Sequence, residues 1–112
     1  RASKLQKKAA KVGFEWPDDQ GVIDKIREEL AEVEVELEAG DQEKLSAEIG
    51  DLLYSVINLA RRHKIDPEIA LESTNLKFES RFAAMDTALQ SAGKELNSAT
   101  LDEMEAEWQG AK

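Results

Sequence analysis

The chain has 112 residues, of which 41% are hydrophobic and 35% charged, enough to bury one core but too polar for a membrane protein. Its formal charge of −9 disfavours nucleic acid, and the absence of cysteine excludes disulfides and thiolate chemistry. We therefore expect one soluble, cytoplasmic domain over residues 1–112, with no nucleic-acid polymer and no membrane as partner. The single histidine, His63, excludes His-rich metal sites and is expected near a helix C-terminus.

The pattern of apolar residues predicts helices joined by short loops, and no strand pattern appears. The first helix is predicted over Ala2–Lys11, and the loop "GFEWPDDQG" follows it. A second helix is predicted from Gly21 to Ala39 because its apolar residues recur at spacings of three and four. These residues are Ile23, Ile26, Leu30, Val33 and Leu37.

A third helix is predicted from Asp41 to about Lys64, with Gly40 ending the preceding helix and Asp41 as the N-cap. Its apolar stripe is wide and is expected to be well buried. The stripe comprises Leu45, Ile49, Leu52, Leu53, Val56, Ile57 and Ala60. Gly50 interrupts this helix and is expected to permit close approach of a neighbouring helix.

Asp66 and Pro67 together predict the start of a fourth helix, because Asp caps free N–H groups and Pro lacks the N–H that would be unpaired there. This helix is expected to end near Ser91–Gly93, with Asn75 on its inward side. Its expected inward residues are Leu71, Thr74, Phe78, Phe82, Met85 and Leu89. A short last helix, capped by Ser98 or Thr100, carries Leu101, Met104 and Trp108 at helical spacing.

These elements predict an all-α fold, an antiparallel four-helix-type bundle. Short loops favour antiparallel neighbours. The stripes offer more apolar surface than one layer of helices can cover, so we expect a homodimer that associates through helices.

Two acidic pairs border the apolar stripes of the second and third helices. Glu29 and Glu32 lie at i, i+3 on one helix, and Glu48 and Asp51 repeat that spacing on the next. If the two helices pack antiparallel, the four carboxylates converge on a shared edge. Converging carboxylates repel one another unless a cation compensates them, and oxygen ligands are those that Mg²⁺ prefers.

Each acidic pair, taken alone, is more often a solvated helix face than a ligand set. The combination is less ordinary, because Asp51 and Gly50 are both poor residues for a helix interior. Two local violations of helix propensity beside two acids indicate a functional constraint.

Five segments carry a resemblance to a known family. They read, in order, "KVGFEWPDD", "KIREELAEVE", "LSAEIGDLLYSVINLARRHKIDPEIAL", "NLKFESRF" and "LDEMEAEWQ". With these segments the chain resembles the MazG-type all-alpha nucleoside triphosphate pyrophosphohydrolases, in particular their C-terminal catalytic domain. The resemblance covers nearly the whole chain, and the ordered set is more specific than a single Glu-x-x-Glu.

The resemblance implies site residues. It assigns Mg²⁺, with Mn²⁺ as a substitute, to Glu29, Glu32, Glu48 and Asp51. Nucleotide contacts are implied at Lys25, Glu28, Glu29, Lys44, Ala47, Lys77, Arg81 and Trp108. Asn75 is a further candidate for binding phosphate or sugar, and Phe14 and Trp16 are weaker candidates for stacking on a base. A purely structural use of the basic, amide and aromatic side chains remains the alternative.

The activity that the resemblance implies is hydrolysis of a nucleoside triphosphate between the α and β phosphoryl groups, in housecleaning of the nucleotide pool. Glu28 or Glu32 is the candidate general base, and Lys77 and Arg81 are expected to stabilise the leaving pyrophosphate. Two alternatives stay open. One is a relative of the same fold specific for dUTP, dCTP or phosphoribosyl-ATP; the other is a non-catalytic helical dimerisation module.

Overall fold

A computed structural model describes all residues, 1–112, and is helical throughout, which confirms the predicted all-α class. Its elements are α1 (Ala2–Lys11), α2 (Asp19–Ala39), α3 (Gln42–Arg62), α4 (Pro67–Ser91), a 3₁₀ turn (Leu96–Ser98) and α5 (Leu101–Gly110). None of these helices combines the length and apolarity that crossing a bilayer requires. The helices fall into two compact units, Arg1–Pro67 and Glu68–Lys112.

Helix α2 begins two residues earlier than its apolar pattern predicts. The side chain of Asp18 accepts a hydrogen bond from the backbone N–H of Gly21 at 3.0 Å, so Asp18 is the N-cap. The apolar pattern begins only at Val22 and Ile23 and therefore does not reveal the first turn of α2.

Helices α2 and α3 form an antiparallel hairpin that turns at Gly40. Gly40 has a φ of 74°, a left-handed conformation that glycine adopts without strain, and Asp41 caps α3 by accepting from the Lys44 N–H at 3.1 Å. At the open end, Asp19 at the start of α2 contacts Arg62 and His63 at the end of α3. The predicted turn and N-cap are confirmed, and α3 ends two residues before the predicted Lys64.

Helix α1 packs against α3 in the same unit. The side-chain amide of Gln6 donates to the carbonyl oxygen of Tyr54 at 2.8 Å, which ties the two helices together. Val22 and Val33 are the buried apolar residues of this unit, at 1% and 8% exposure. The 1–67 unit is therefore a three-helix body built on the α2–α3 hairpin.

The prediction that the apolar stripe of α3 is well buried is wrong for the single chain. Ile49, Leu53 and Val56 are 42%, 58% and 47% exposed, because α2 and α1 cover only part of this wide face. The expected role of Gly50 is also not found, since a Cβ built there would meet no atom within 4 Å.

In the Glu68–Lys112 unit, Met85 and Leu89 of α4 are buried as predicted. Leu71, Phe78 and Phe82 are exposed instead, and so is Asn75, which donates to Glu72 at 3.2 Å. The inward prediction holds only for the second half of α4, because apolar periodicity identifies a face but not the element that covers it.

Helix α5 begins at Leu101, and Thr100, one of the two predicted caps, is its N-cap and forms a complete capping box. The Thr100 hydroxyl accepts from the Glu103 N–H at 3.2 Å, and the Glu103 carboxylate accepts from the Thr100 N–H at 2.9 Å. Lys94 forms an ion pair with Glu103, which further orders the start of this helix. Two of the orphan N–H groups at the helix start are thereby satisfied.

Candidate metal and nucleotide site

The hairpin turn places the acidic residues of α2 opposite those of α3. Glu29 and Asp51 lie equally far from Gly40 along the chain, and Glu32 and Glu48 do so as well. Because both helices rise by the same amount per residue, an antiparallel hairpin brings such residues to the same level. The two acidic pairs therefore stand at matching levels on the two helices of the hairpin.

Three carboxylates form a compact cluster. Glu29, Glu48 and Asp51 each offer an oxygen, and these oxygens all lie within 4.8 Å of one another. Glu29 is only 5% exposed, and one oxygen of Glu29 and one of Glu48 are buried without a hydrogen-bond partner. Buried acceptors without partners are unfavourable, so the cluster is a site where a metal ion could be held.

Glu32, the fourth predicted ligand, lies beside Glu48 but outside the compact set of three. A hydrogen bond with Glu32 is the largest cause that raises the pKa of Glu48, to about 7 from 4.5; desolvation and the charges of Glu32, Asp51 and Glu29 add to it. The carboxylates of the α2–α3 hairpin therefore repel one another, as expected for carboxylates that converge on one edge.

Lys25 is the one cation in direct contact with this cluster. Its Nζ lies 3.0 Å from Glu29 Oε1 and 3.4 Å from Glu28 Oε1. The hydrogen bond to Glu29 is the main cause that raises the pKa of Lys25. One lysine neutralises only part of the negative charge, so the cluster keeps its affinity for a second, compact cation.

The other predicted residues on α3 lie at its N-terminal end. Lys44 stands one turn before Glu48 and is exposed, and Ala47 is exposed beside it. Both positions belong to the same helix as the cluster.

The predicted residues on α4 and α5 belong to the Glu68–Lys112 unit. Arg81 donates from Nη2 to the carbonyl oxygen of Trp108 at 2.8 Å, and its guanidinium lies 4.1 Å from the Trp108 ring centroid. Phe78 contacts the same ring at 5.2 Å. The Nε of Arg81 is buried and unpartnered. Lys77 and Asn75 lie exposed on α4.

Residue pattern did not predict an ion-pair network at the open end of the hairpin. Arg61 and Arg62 of α3 both bind the Glu15 carboxylate, and Arg62 also binds Asp19 at 3.0 Å. Burial raises the pKa of Glu15, but the two guanidinium groups outweigh it and lower the pKa overall. The pKa of Asp19 is lowered by hydrogen bonds from Arg62 and His63. The sequence feature that could have indicated this network is the pair of consecutive arginines, Arg61 and Arg62, together with the acidic loop before α2.

A cavity of about 550 Å³ lies in the 1–67 unit, one helical turn from the acidic cluster. Its lining combines α1, the following loop, α2 and α3, with Phe14, Trp16, Tyr54, Gln6, Lys25 and Asn58 among the lining residues. Lys25 therefore faces both the cavity and Glu29.

Comparison with known proteins identifies the family of the chain. Residues 18–84 match the family model described as the MazG nucleotide pyrophosphohydrolase domain. The chain is 43% identical over 114 residues to a nucleoside triphosphate pyrophosphohydrolase of Escherichia coli K12, and 40% identical over 111 residues to the nucleoside triphosphate pyrophosphohydrolase/pyrophosphatase MazG of Thermotoga maritima.

These alignments cover 100% and 99% of this chain but 43% and 42% of the two relatives, so the chain spans less than half of their length. The matched segment, residues 18–84, contains the whole α2–α3 hairpin and with it all four predicted metal ligands. The predicted resemblance is confirmed: the chain belongs to the MazG nucleotide pyrophosphohydrolase domain family.

Proposed function

We propose that the chain hydrolyses nucleoside triphosphates between the α and β phosphoryl groups, giving nucleoside monophosphate and pyrophosphate, with Mg²⁺ as cofactor and nucleotide-pool housecleaning as its role. The observation that carries the proposal is the cluster of Glu29, Glu48 and Asp51, with two buried oxygens that lack a partner. Family membership supports the same reaction class. The names of the relatives support nucleoside triphosphates as substrates.

The donor set fits a hard divalent cation. All ligand atoms are carboxylate oxygens, which suit Mg²⁺, and Mn²⁺ as a substitute, better than softer metals. Glu29, Glu48 and Asp51 would hold the ion, and Glu32 would complete the set after a side-chain rotation. When bound, Mg²⁺ would supply neutralisation of phosphate charge.

The side chains around the cluster have separate roles in this proposal. Lys25 fixes Glu29 and attracts phosphate oxygens. Glu28, which is exposed and contacts Lys25, and Glu32, which contacts Glu48, are the candidates for orienting the attacking water as general base. The remaining contacts to the nucleotide are proposed at Glu29, Lys44, Ala47, Asn75, Lys77, Arg81 and Trp108.

Lys77 and Arg81 are proposed to stabilise the leaving pyrophosphate. They stand at i, i+4 on α4, so their charges can act on one polyanion. The contact between Arg81 and Trp108 holds the guanidinium plane in a fixed orientation, which reduces the side-chain entropy lost when Arg81 binds a phosphate oxygen.

The test is pyrophosphate release from a panel of nucleoside triphosphates with Mg²⁺, with and without EDTA. Glu48→Gln and Asp51→Asn should each lower kcat/KM at least about hundredfold, because each removes a ligand charge from the site. Glu34→Gln, which removes one exposed charge from α2 outside the cluster, is the matched control and should retain activity. Wild-type-like turnover in Asp51→Asn would refute the proposed site.

A non-catalytic dimerisation module is the rival function. It predicts no pyrophosphate release from any nucleoside triphosphate in the presence of Mg²⁺, whereas the proposed function predicts release that EDTA abolishes. Within the enzymatic reading, the same substrate panel separates a general nucleoside triphosphate pyrophosphohydrolase from one specific for dUTP, dCTP or phosphoribosyl-ATP.

A further inference from the structure

We propose that the cavity walled by Phe14, Trp16 and Tyr54 binds the nucleobase of the substrate, so that the base lies in the aromatic cavity while the phosphates lie at the acidic cluster. This inference rests on the proposed function and deepens it. It assigns base recognition to the loop between α1 and α2 and to Tyr54 of α3.

The size and chemistry of the cavity suit a planar aromatic ligand. Its volume of about 550 Å³ falls within the range of roughly 300–1,000 Å³ typical of small-molecule sites. Phe14, Trp16 and Tyr54 are 83%, 44% and 43% exposed, so their rings remain available to a ligand. Nucleobases stack on such rings in many binding sites.

The ring of Trp16 is seated closely on the first turn of α2. A Cβ built at Gly21 would lie 2.8 Å from Trp16 Cε3, so only glycine leaves room for the indole there. The position of the ring is thus set by the backbone of α2, which also carries Lys25 and Glu29.

Arginines of α3 hold the loop that carries these aromatics. Arg62 Nη1 donates to the carbonyl oxygen of Trp16 at 2.8 Å and to Glu15 at 2.9 Å, and Arg61 binds the other oxygen of Glu15. The side chains of Arg61 and Arg62 are 14% and 15% exposed. A wall fixed in this way is pre-formed, which reduces the entropy lost when a ligand binds.

A buried polar group beside the cavity lacks a partner. Gln6 is only 9% exposed and uses its amide N–H to bond Tyr54, while its Oε1 is buried and accepts no hydrogen bond. An acceptor left without a partner is unfavourable. An N–H group on the edge of a nucleobase would satisfy Gln6 Oε1 if the side-chain amide turned toward the cavity.

The cavity lies one helical turn along the hairpin from the acidic cluster. Lys25 stands four residues before Glu29, and Ser55 stands four residues after Asp51; both residues line the cavity. The cavity is therefore about 6 Å along the hairpin from the cluster. The Trp108 ring is the other candidate stacking surface, but Arg81 already covers one of its faces.

The experiment measures equilibrium binding with Mg²⁺ by calorimetry, using the four α,β-methylene nucleoside triphosphates and tripolyphosphate, which has no base. The wild-type chain should bind its preferred analogue about tenfold or more tightly than tripolyphosphate. Trp16→Leu and Gly21→Ala should abolish this advantage and leave tripolyphosphate binding unchanged. Gly110→Ala, a helix glycine with no atom near its Cβ position, is the control and should retain the advantage.

If Trp16→Leu still binds the analogue more tightly than tripolyphosphate, the inference is overturned. It is also overturned if the wild-type chain binds the analogue no more tightly than tripolyphosphate. Parallel weakening of both ligands in both variants would also count against it, because Trp16 would then act on the fold. A Trp16-dependent advantage without pyrophosphate release from hydrolysable substrates would instead refute the proposed function and leave the base site standing.

Discussion

Glu48 connects the charge repulsion of the site to a pH effect that can be measured. Its pKa is raised to about 7 in the folded, metal-free chain, from 4.5, chiefly by the hydrogen bond with Glu32. Between these two values the folded state binds more protons than the unfolded state. The contribution of Glu48 to the free energy of unfolding should therefore fall as the pH rises through this window.

Thermal unfolding in EDTA from pH 5 to pH 8 measures this contribution, with Glu48→Gln as the comparison. The wild-type Tm should fall relative to the Tm of Glu48→Gln as the pH rises toward 7. Above pH 7 the difference between the two Tm values should become constant. A Tm difference that is constant across the range would show that Glu48 titrates normally.

The unpredicted contacts at residue scale are those of Glu15 with Arg61 and Arg62. Residue pattern did not predict them because the partners are far apart in sequence, and the path of the loop decides which carboxylate meets which guanidinium. The acidic cluster was predictable, because helical period and a short turn fix the level of each carboxylate on the hairpin. Glu32 was placed less well, since the residue pattern fixes its level on the hairpin but not the rotamer of its side chain.

At the scale of the element, the α2–α3 hairpin depends on the left-handed conformation of Gly40. A side chain at a φ of 74° is strained, so Gly40→Ala should lower the free energy of unfolding by about 1 kcal/mol. Gly50→Ala is the matched substitution, because Gly50 lies inside α3 with no atom within 4 Å of a built Cβ. It should raise the free energy of unfolding by up to about 1 kcal/mol.

Urea denaturation of the two variants measures the contrast. Opposite signs are expected. If Gly50→Ala is also destabilising, another surface covers Gly50 in solution, and the helix approach first expected at this glycine would be restored.

At the scale of the whole molecule, the exposed apolar face of α3 supports our proposal that the chain forms a homodimer. Ile49, Leu53 and Val56 remain largely uncovered in the chain, and large exposed apolar surfaces of soluble proteins mark interaction sites. The sequence indicated which face is apolar but not what covers it, so its predicted burial within one chain was wrong.

Light scattering at micromolar concentration should give twice the chain mass of 12.5 kDa. Leu53→Glu should shift the mass toward the monomer, since a charge would have to enter the interface without a partner. Leu101→Glu, a change at a 78% exposed residue of α5, is the control. A monomeric wild-type chain would contradict the homodimer.

The proposed activity depends on the carboxylates of the hairpin acting together on one divalent cation. Calorimetric titration of Mg²⁺ into the chain at pH 8 tests this most directly, with Asp51→Asn and the control Glu34→Gln measured beside the wild type. Saturable binding that Asp51→Asn weakens at least about tenfold, and that Glu34→Gln leaves unchanged, is the predicted result. Equal binding by all three chains would show that the cluster does not hold the cation.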